Sequence, residues 1–233
     1  MTIQNSQHPN LSQITLLRTR RGRDRSGRFV AEGEDLIAAA EAAGWPALEM
    51  FVTEDSGLDG TQVSSDALAD VSALGSGTRA LAIYEQRWSE PAGPLAVWLH
   101  GVGDPGNVGT IIRSAHAFGA ASVVVGPGTA DPFGPKAVRA SMGAIFSLPV
   151  ARAAGLGDLP GTTVALAAGD HPPLDSSPWP ADGATLIIGS ERDGLPAEVI
   201  DAADEVRSIV IARDSLNAAM AATIALYSCT RTD

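Results

Sequence analysis

LAVWLHGVGDPGNVGTIIRSAHAFGA, residues 95–120, passes from a short apolar run through a glycine-rich loop into a helical pattern. The same alternation continues downstream, where ASVVV (121–125), TVALAA (163–168), ATLII (184–188) and RSIVIA (207–212) are separated by helical stretches. Short strands that are apolar on both faces and alternate with helices predict an α/β domain with a mostly parallel, doubly covered sheet over residues 95–230. Upstream, EGEDLIAAAEAAGW (32–45) and ALADVSAL (67–74) read as helices, and ALEMFVTE (47–54) and ALAIYE (80–85) as strands. They define a smaller α/β unit over residues 14–88, divided from the larger one by the Pro- and Gly-containing QRWSEPAGP (86–94). Residues 1–13 read as a disordered leader.

With 233 residues, 45% of them hydrophobic, the chain can bury one large core or two modest ones. The absence of a run of roughly 20 apolar residues, and a polar start, argue against a membrane partner and for the cytoplasm. Cys229 is the sole cysteine and reads as a small buried hydrophobe, and the four histidines show no metal-ligand spacing. The net charge of −11 argues at first against a polyanionic partner. Its distribution reverses that inference. Residues 1–28 carry Arg18, Arg20, Arg21, Arg23, Arg25 and Arg28 against one acid, a local +5 on a chain whose remainder sums to −16. Planar guanidinium groups suit bidentate phosphate contacts and base stacking, so this island is a candidate RNA contact; a solvated leader is the plainer alternative.

Three strand-to-helix corners carry the candidate chemistry. In the first, Gly101, Gly103 and Gly106 spell a dinucleotide fingerprint, but the next strand ends in Gly126 and Pro127 instead of the acid that would hold a ribose. Asn107 is placed to cap the helix, and Gly109 and Arg113 lie four apart on one face, leaving room beside a guanidinium that could grip a phosphate or polarise a hydroxyl. In the second, ATLIIGSERDGLPAEVI (184–200), Gly189 and Gly194 bracket a turn and Glu191 falls at a strand's carboxyl end. In the third, Ser215 can cap the last helix and Asn217 offers an amide in its first turn. That helix carries Leu216, Met220, Ile224 and Tyr227 at helical spacing among alanines, a pattern that suits either a dimer interface or an ordinary buried helix.

Taken together, DPGNVGTIIRSAHAFGA (104–120) with DPFGPKAVRASMGAIFSLPV (131–150), GSERDGL (189–195) and SLNAAMAA (215–222) resemble the three signature motifs of the SpoU/TrmH branch of the SPOUT RNA methyltransferases. Residues 14–84, including RFVAEGEDLI, resemble the small L30e-like substrate-binding domain that often precedes the catalytic one. The resemblance implies a C-terminal trefoil knot, a homodimer, and S-adenosylmethionine-dependent methylation of a ribose 2′-hydroxyl in a structured RNA, tRNA or rRNA, with no metal. It implies that the donor lies against Gly189, Ile209 and Leu216. Arg113 would then approach the ribose hydroxyl while Asn107, Glu191, Ser215 and Asn217 order the site. Arg113 is often cast as the base in this family; a guanidinium with a pKa above about 12 suits charge stabilisation better. Two departures stand out. Arg192 and Asp193 follow Glu191 where relatives usually have Gly, and only three residues separate Ile211 from Ser215 where relatives commonly have about five. The alternatives are a knotted RNA-binding homologue without activity and a nucleotide-binding oxidoreductase that would take NAD.

Overall fold

The computed structural model describes residues 2–73, 75, 77–212 and 216–231, in two compact units.

The first unit comprises residues 1–87 and 133–147. It contains α1 (Pro9–Leu17), α2 (Arg20–Ser26), β1 (Arg28–Glu32), α3 (Glu34–Ala42), β2 (Glu49–Val52), β3 (Thr61–Gln62), α4 (Ser65–Val71) and β4 (Ala80–Glu85). The sheet order is β1-β4-β2-β3, antiparallel except for the β2–β3 pair. Leu11, Ile14 and Leu17, at helical spacing on α1, are buried with Val30, Phe51, Leu68, Leu81 and Ile83. Residues 2–13 of the expected leader are therefore ordered. Ile3 bridges Val63, its amide donating to the Gln62 carbonyl at 2.8 Å, and Leu11 is fully buried. The apolar side chains at positions 3 and 11 gain more by burial than the polar residues between them lose by ordering.

The segment 133–147, which the sequence pattern groups with the larger domain, packs in this first unit. Phe133 and Phe146 stand 4.9 and 5.9 Å from the Phe29 ring, and Trp45 and Tyr84 complete the aromatic cluster. Burial in that cluster pushes the Tyr84 phenol up to about 12, assisted by Glu41. On the same segment α6 (Pro135–Ala140) carries Arg139, whose Nη1 lies 2.9 Å from Asp35.

The second unit holds β5 (Leu95–Leu99), α5 (Pro105–Ala117), β6 (Ser122–Val125), β7 (Val150–Arg152), β8 (Thr162–Leu166), β9 (Ala184–Ile188), α7 (Ala197–Ala202), β10 (Glu205–Arg207) and α8 (Ala218–Thr230). All strands are parallel, in the order β10-β8-β9-β5-β6-β7. This is the expected mostly parallel α/β sheet. Its central strands are buried on both faces, β9 at every position. Residues of the linker cover the β7 edge: Ser89 bridges Ala151, and the Arg152 guanidinium stacks on the Trp88 ring at 3.6 Å.

Two expectations fail in detail. β10 ends at Arg207, five residues before the end of its apolar run, and Val210 and Ile211 are 79% and 40% exposed, because beyond Ser208 no neighbouring strand remains to pair. Cys229 is half-buried; burial pushes its thiol up, against the opposing pull of Arg207.

Candidate active site

The site lies at the carboxyl ends of β5 and β9, neighbours from which the chain leaves into α5 and into the loop before α7, a position where open α/β sheets gather ligands. At the first corner Asp104, not Asn107, caps α5: its Oδ1 accepts from the Asn107 amide at 3.1 Å, and Pro105 fills the next position, where a missing N–H costs nothing. The correction matters because it frees the Asn107 side chain. That side chain donates through Nδ2 to Glu191 Oε1, in a short contact, and accepts through Oδ1 from Asn217 Nδ2 at 3.0 Å. Asn217 is itself the N-cap of α8, its Oδ1 accepting from the Ala219 and Met220 amides at 2.9 and 3.3 Å. The cap thus falls to Asn217. Ser215, expected as cap and site residue, lies outside the described residues.

These bonds run in one direction, from the amides of the α8 N-terminus through two carboxamides to a carboxylate. Each donor points toward the Glu191 end, so the bonds polarise one another, and the positive end of the α8 dipole assists. Glu191 is held in one orientation by residues from two other corners. Lower down, α5 and α8 are joined again by the Ser114 and Thr223 hydroxyls, 2.8 Å apart.

The Glu191 loop is stiff for reasons its sequence contains. Ser190 and Gly194 exchange backbone bonds of 3.1 and 3.2 Å, Gly194 adopts φ 66°, and the Ser190 hydroxyl accepts from the Asp193 amide at 3.1 Å. A side chain at Gly189 would meet the Gly194 carbonyl carbon at 2.4 Å, so only glycine lets the strand run into this turn. Leu195 anchors the far side in the apolar cluster of Trp98, Ala151, Ala165 and Ile187. Arg192 and Asp193 occupy the exposed tip.

Arg113 is exposed on α5, and among the described residues nothing accepts its guanidinium protons. Ile209 and Leu216 are half-buried, and among the described residues neither makes a backbone hydrogen bond. Among the described residues no group of three His, Cys, Asp or Glu gathers to hold a metal.

Of the arginine island, Arg18, Arg20, Arg21 and Arg25 are exposed, and Arg28 is half-buried at the start of β1. Arg23 is turned inward: only 4% exposed, it donates from Nη1 to the Leu17 and Arg18 carbonyls at 2.8 and 3.1 Å, satisfying the C-terminus of α1. Gly22 permits the close crossing of the two helices, since a Cβ there would lie 2.1 Å from the Leu16 oxygen. Arg23 is therefore removed from the expected RNA-contact set.

The SpoU rRNA Methylase family matches residues 94–227, more than half of the chain, and an MRM3-like substrate binding domain matches residues 8–82. The chain belongs to the SpoU rRNA methylase family. The 23S rRNA (guanosine(2553)-2′-O)-methyltransferase RlmP of Bacillus subtilis is 28% identical over 97% of both chains. A 23S rRNA (uridine(2479)-2′-O)-methyltransferase of Streptomyces viridochromogenes is 39% identical over 54% of this chain and 49% of its own length. Among solved structures, an AdoMet-bound rRNA methyltransferase from Sinorhizobium meliloti superposes with a TM-score of 0.87 at 29% identity, covering 98% of this chain and 97% of that one.

Proposed function

We propose that this protein transfers a methyl group from S-adenosylmethionine to a ribose 2′-hydroxyl of RNA, with ribosomal RNA as the substrate class. The observation that carries the reading is the Glu191–Asn107–Asn217 chain, which draws three motifs, far apart in sequence, into one oriented site. Similarity over 97% of both chains to a 23S rRNA 2′-O-methyltransferase, and over 98% of this chain to an AdoMet-bound rRNA methyltransferase, supports the chemistry. When bound, the donor would supply an electrophilic methyl on a sulfonium for the ribose oxygen, with S-adenosylhomocysteine as the leaving group and the hydroxyl proton passing to solvent. An unactivated hydroxyl is a poor nucleophile, so positioning and charge stabilisation carry the rate. Arg113, carried on α5 with its donors uncommitted among the described residues, orients the hydroxyl and stabilises the developing alkoxide and adjacent phosphate. Asn107, Glu191, Asn217 and Ser215 order the site, and the backbone of Gly189, Ile209 and Leu216 holds the donor.

The finer architecture belongs to the same reading. The chain beyond β10 threads a loop as a trefoil knot before α8 returns against α5. The first unit, residues 1–87 with 133–147, forms an L30e-like RNA-binding domain, and the second unit the catalytic one. Met220, Ile224 and Tyr227 are 57%, 39% and 54% exposed on one side of α8 while Ala219, Ala222 and Ala225 face the core, an apolar stripe suited to a homodimer. The protein works in the cytoplasm; among the described residues no helix is long and apolar enough to cross a membrane.

Calorimetry with S-adenosylmethionine, S-adenosylhomocysteine and NAD tests the proposal directly. One adenosyl ligand per subunit is expected. A folded protein that binds neither adenosyl ligand, even with rRNA present, would point to the inactive RNA-binding homologue, and binding of NAD alone to the oxidoreductase.

Because α1 and the start of β1 belong to the core of the first unit, the arginine island is tested by substitution and not by truncation. Replacing Arg18, Arg20, Arg21 and Arg25 together by Ala should leave the fold and donor affinity intact. It should weaken binding to a 23S rRNA transcript and flatten its salt dependence by roughly 0.7–0.9 in log–log slope for each phosphate that is no longer neutralised. An unchanged slope would show these residues to be solvated surface.

A further inference from the structure

We infer that Arg207 is a positioning residue for the donor site: its guanidinium locks residues 174–179 to the end of β10 and thereby fixes the backbone of Ile209. The inference rests on the reading of Ile209 as a donor contact.

The segment between β8 and β9 is short of its own donors. Pro172, Pro173, Pro178 and Pro180 lack amide protons, so few donors exist there to satisfy its carbonyls. Arg207, 2% exposed, supplies them. Its Nη1 donates to the Leu174 and Ser177 carbonyls at 3.0 and 3.1 Å, and its Nη2 to the Pro178 carbonyl at 3.0 Å. Nε and Nη2 donate to Glu205 Oε2 at 2.9 and 2.7 Å, neutralising the buried charge, and the guanidinium plane lies 4.4 Å from the centre of the Trp179 ring. Trp179 in turn donates from Nε1 to the Ser228 hydroxyl on α8 at 3.3 Å. Only a planar fork can reach three carbonyls, a carboxylate and an aromatic face at once.

Ser208 completes the seam. Its amide donates to the Pro172 carbonyl at 2.8 Å, its carbonyl accepts from the Leu174 amide at 3.0 Å, and its hydroxyl donates to the His171 carbonyl at 2.7 Å. The next residue is Ile209, half-buried and without a backbone partner among the described residues, and Val210 beyond it is exposed. The ladder of β10 stops at Arg207, so among the described residues the Arg207–Ser208 seam is the last structure that sets where the Ile209 peptide groups lie. Arg207 acts through Ile209.

Arg207→Lys keeps the charge and loses the fork. If the binding-competent loop falls to about a tenth of the population, the apparent Kd rises about tenfold. The full-length variant is therefore expected to bind S-adenosylhomocysteine about tenfold more weakly by calorimetry, with an unchanged far-ultraviolet spectrum. Ser228→Ala, which cuts only the Trp179 tie to α8, serves as the comparison and should lower Tm without moving the Kd. An Arg207→Lys protein with a lowered Tm and a wild-type Kd would overturn the inference and leave the donor site standing; a wild-type protein that binds no adenosyl ligand would overturn both. Should Arg207→Lys fail to fold, Glu205→Gln decides: it leaves the carbonyl contacts in place but removes the charge that orients the fork, so a weakened Kd is expected and an unchanged one refutes the clamp.

Discussion

Arg113→Lys is expected to reduce methyl transfer by about 10²–10³-fold while donor affinity and thermal stability stay at wild-type values. The separation follows from where Arg113 sits. It is exposed on α5, and among the described residues it has no partner whose loss would unsettle the fold, so the substitution should change stability by no more than about 0.5 kcal/mol. What it does change is geometry. A guanidinium presents two parallel donors to a phosphate or a developing alkoxide, whereas an ammonium offers one compact charge on a flexible stem. Single-turnover transfer from labelled donor to rRNA, with calorimetric donor binding in parallel, measures both halves. Near-normal turnover would remove Arg113 from the reaction, and a matching loss of donor affinity would make it a binding residue instead.

The second large effect is expected from Asn107→Asp. The substituted side chain still accepts from Asn217 but can no longer donate to Glu191, and two carboxylates then face one another where a hydrogen bond stood. At alkaline pH their repulsion should turn Glu191 out of the site, and a displacement of about an ångström costs on the order of 10²-fold in rate. The pH dependence has a definite sign. Like charges raise the upper pKa of the pair above the ordinary carboxylate range, so one proton is shared below that value and the bridge re-forms as O–H···O. Activity relative to wild type should therefore be recovered as pH falls through the raised pKa and lost as pH rises through it. Asn107→Ala, which has neither donor nor charge, should show the loss without the recovery. A pH-independent deficit in Asn107→Asp would refute the like-charge account.

Much of this architecture is legible in the sequence. The strands of the second unit announce themselves because a strand buried on both faces must be apolar along its whole length, as LAVWL and ATLII are. The α5 corner announces itself because Asp-Pro-Gly-Asn is a helix start on local rules alone. Those rules nevertheless assign the cap to Asn107, since they score each residue against its neighbours and two residues qualify; the structure gives it to Asp104 because Asn107 has a better use elsewhere. The same limit explains the leader. Nothing local distinguishes Ile3 in a solvated tail from Ile3 docked beside Val63, and nothing local says that Arg23, alone among its neighbours on α2, points at the end of α1.

What the sequence by itself determined is the alternating strands and helices of the second unit, their parallel sheet and the residue types at its carboxyl edge, because hydrophobic periodicity and turn chemistry act within a few residues. What only the tertiary structure decided is which of those residues meet. The partners of Asn107 lie 84 and 110 positions away, Arg207 reaches back about thirty to the carbonyls of a proline-rich loop, and residues 133–147 pack with a unit that begins at the other end of the chain. Such pairings are set by strand order and by where each strand ends. The free energy that selects them is shared over a whole buried core, so no short window of sequence contains it.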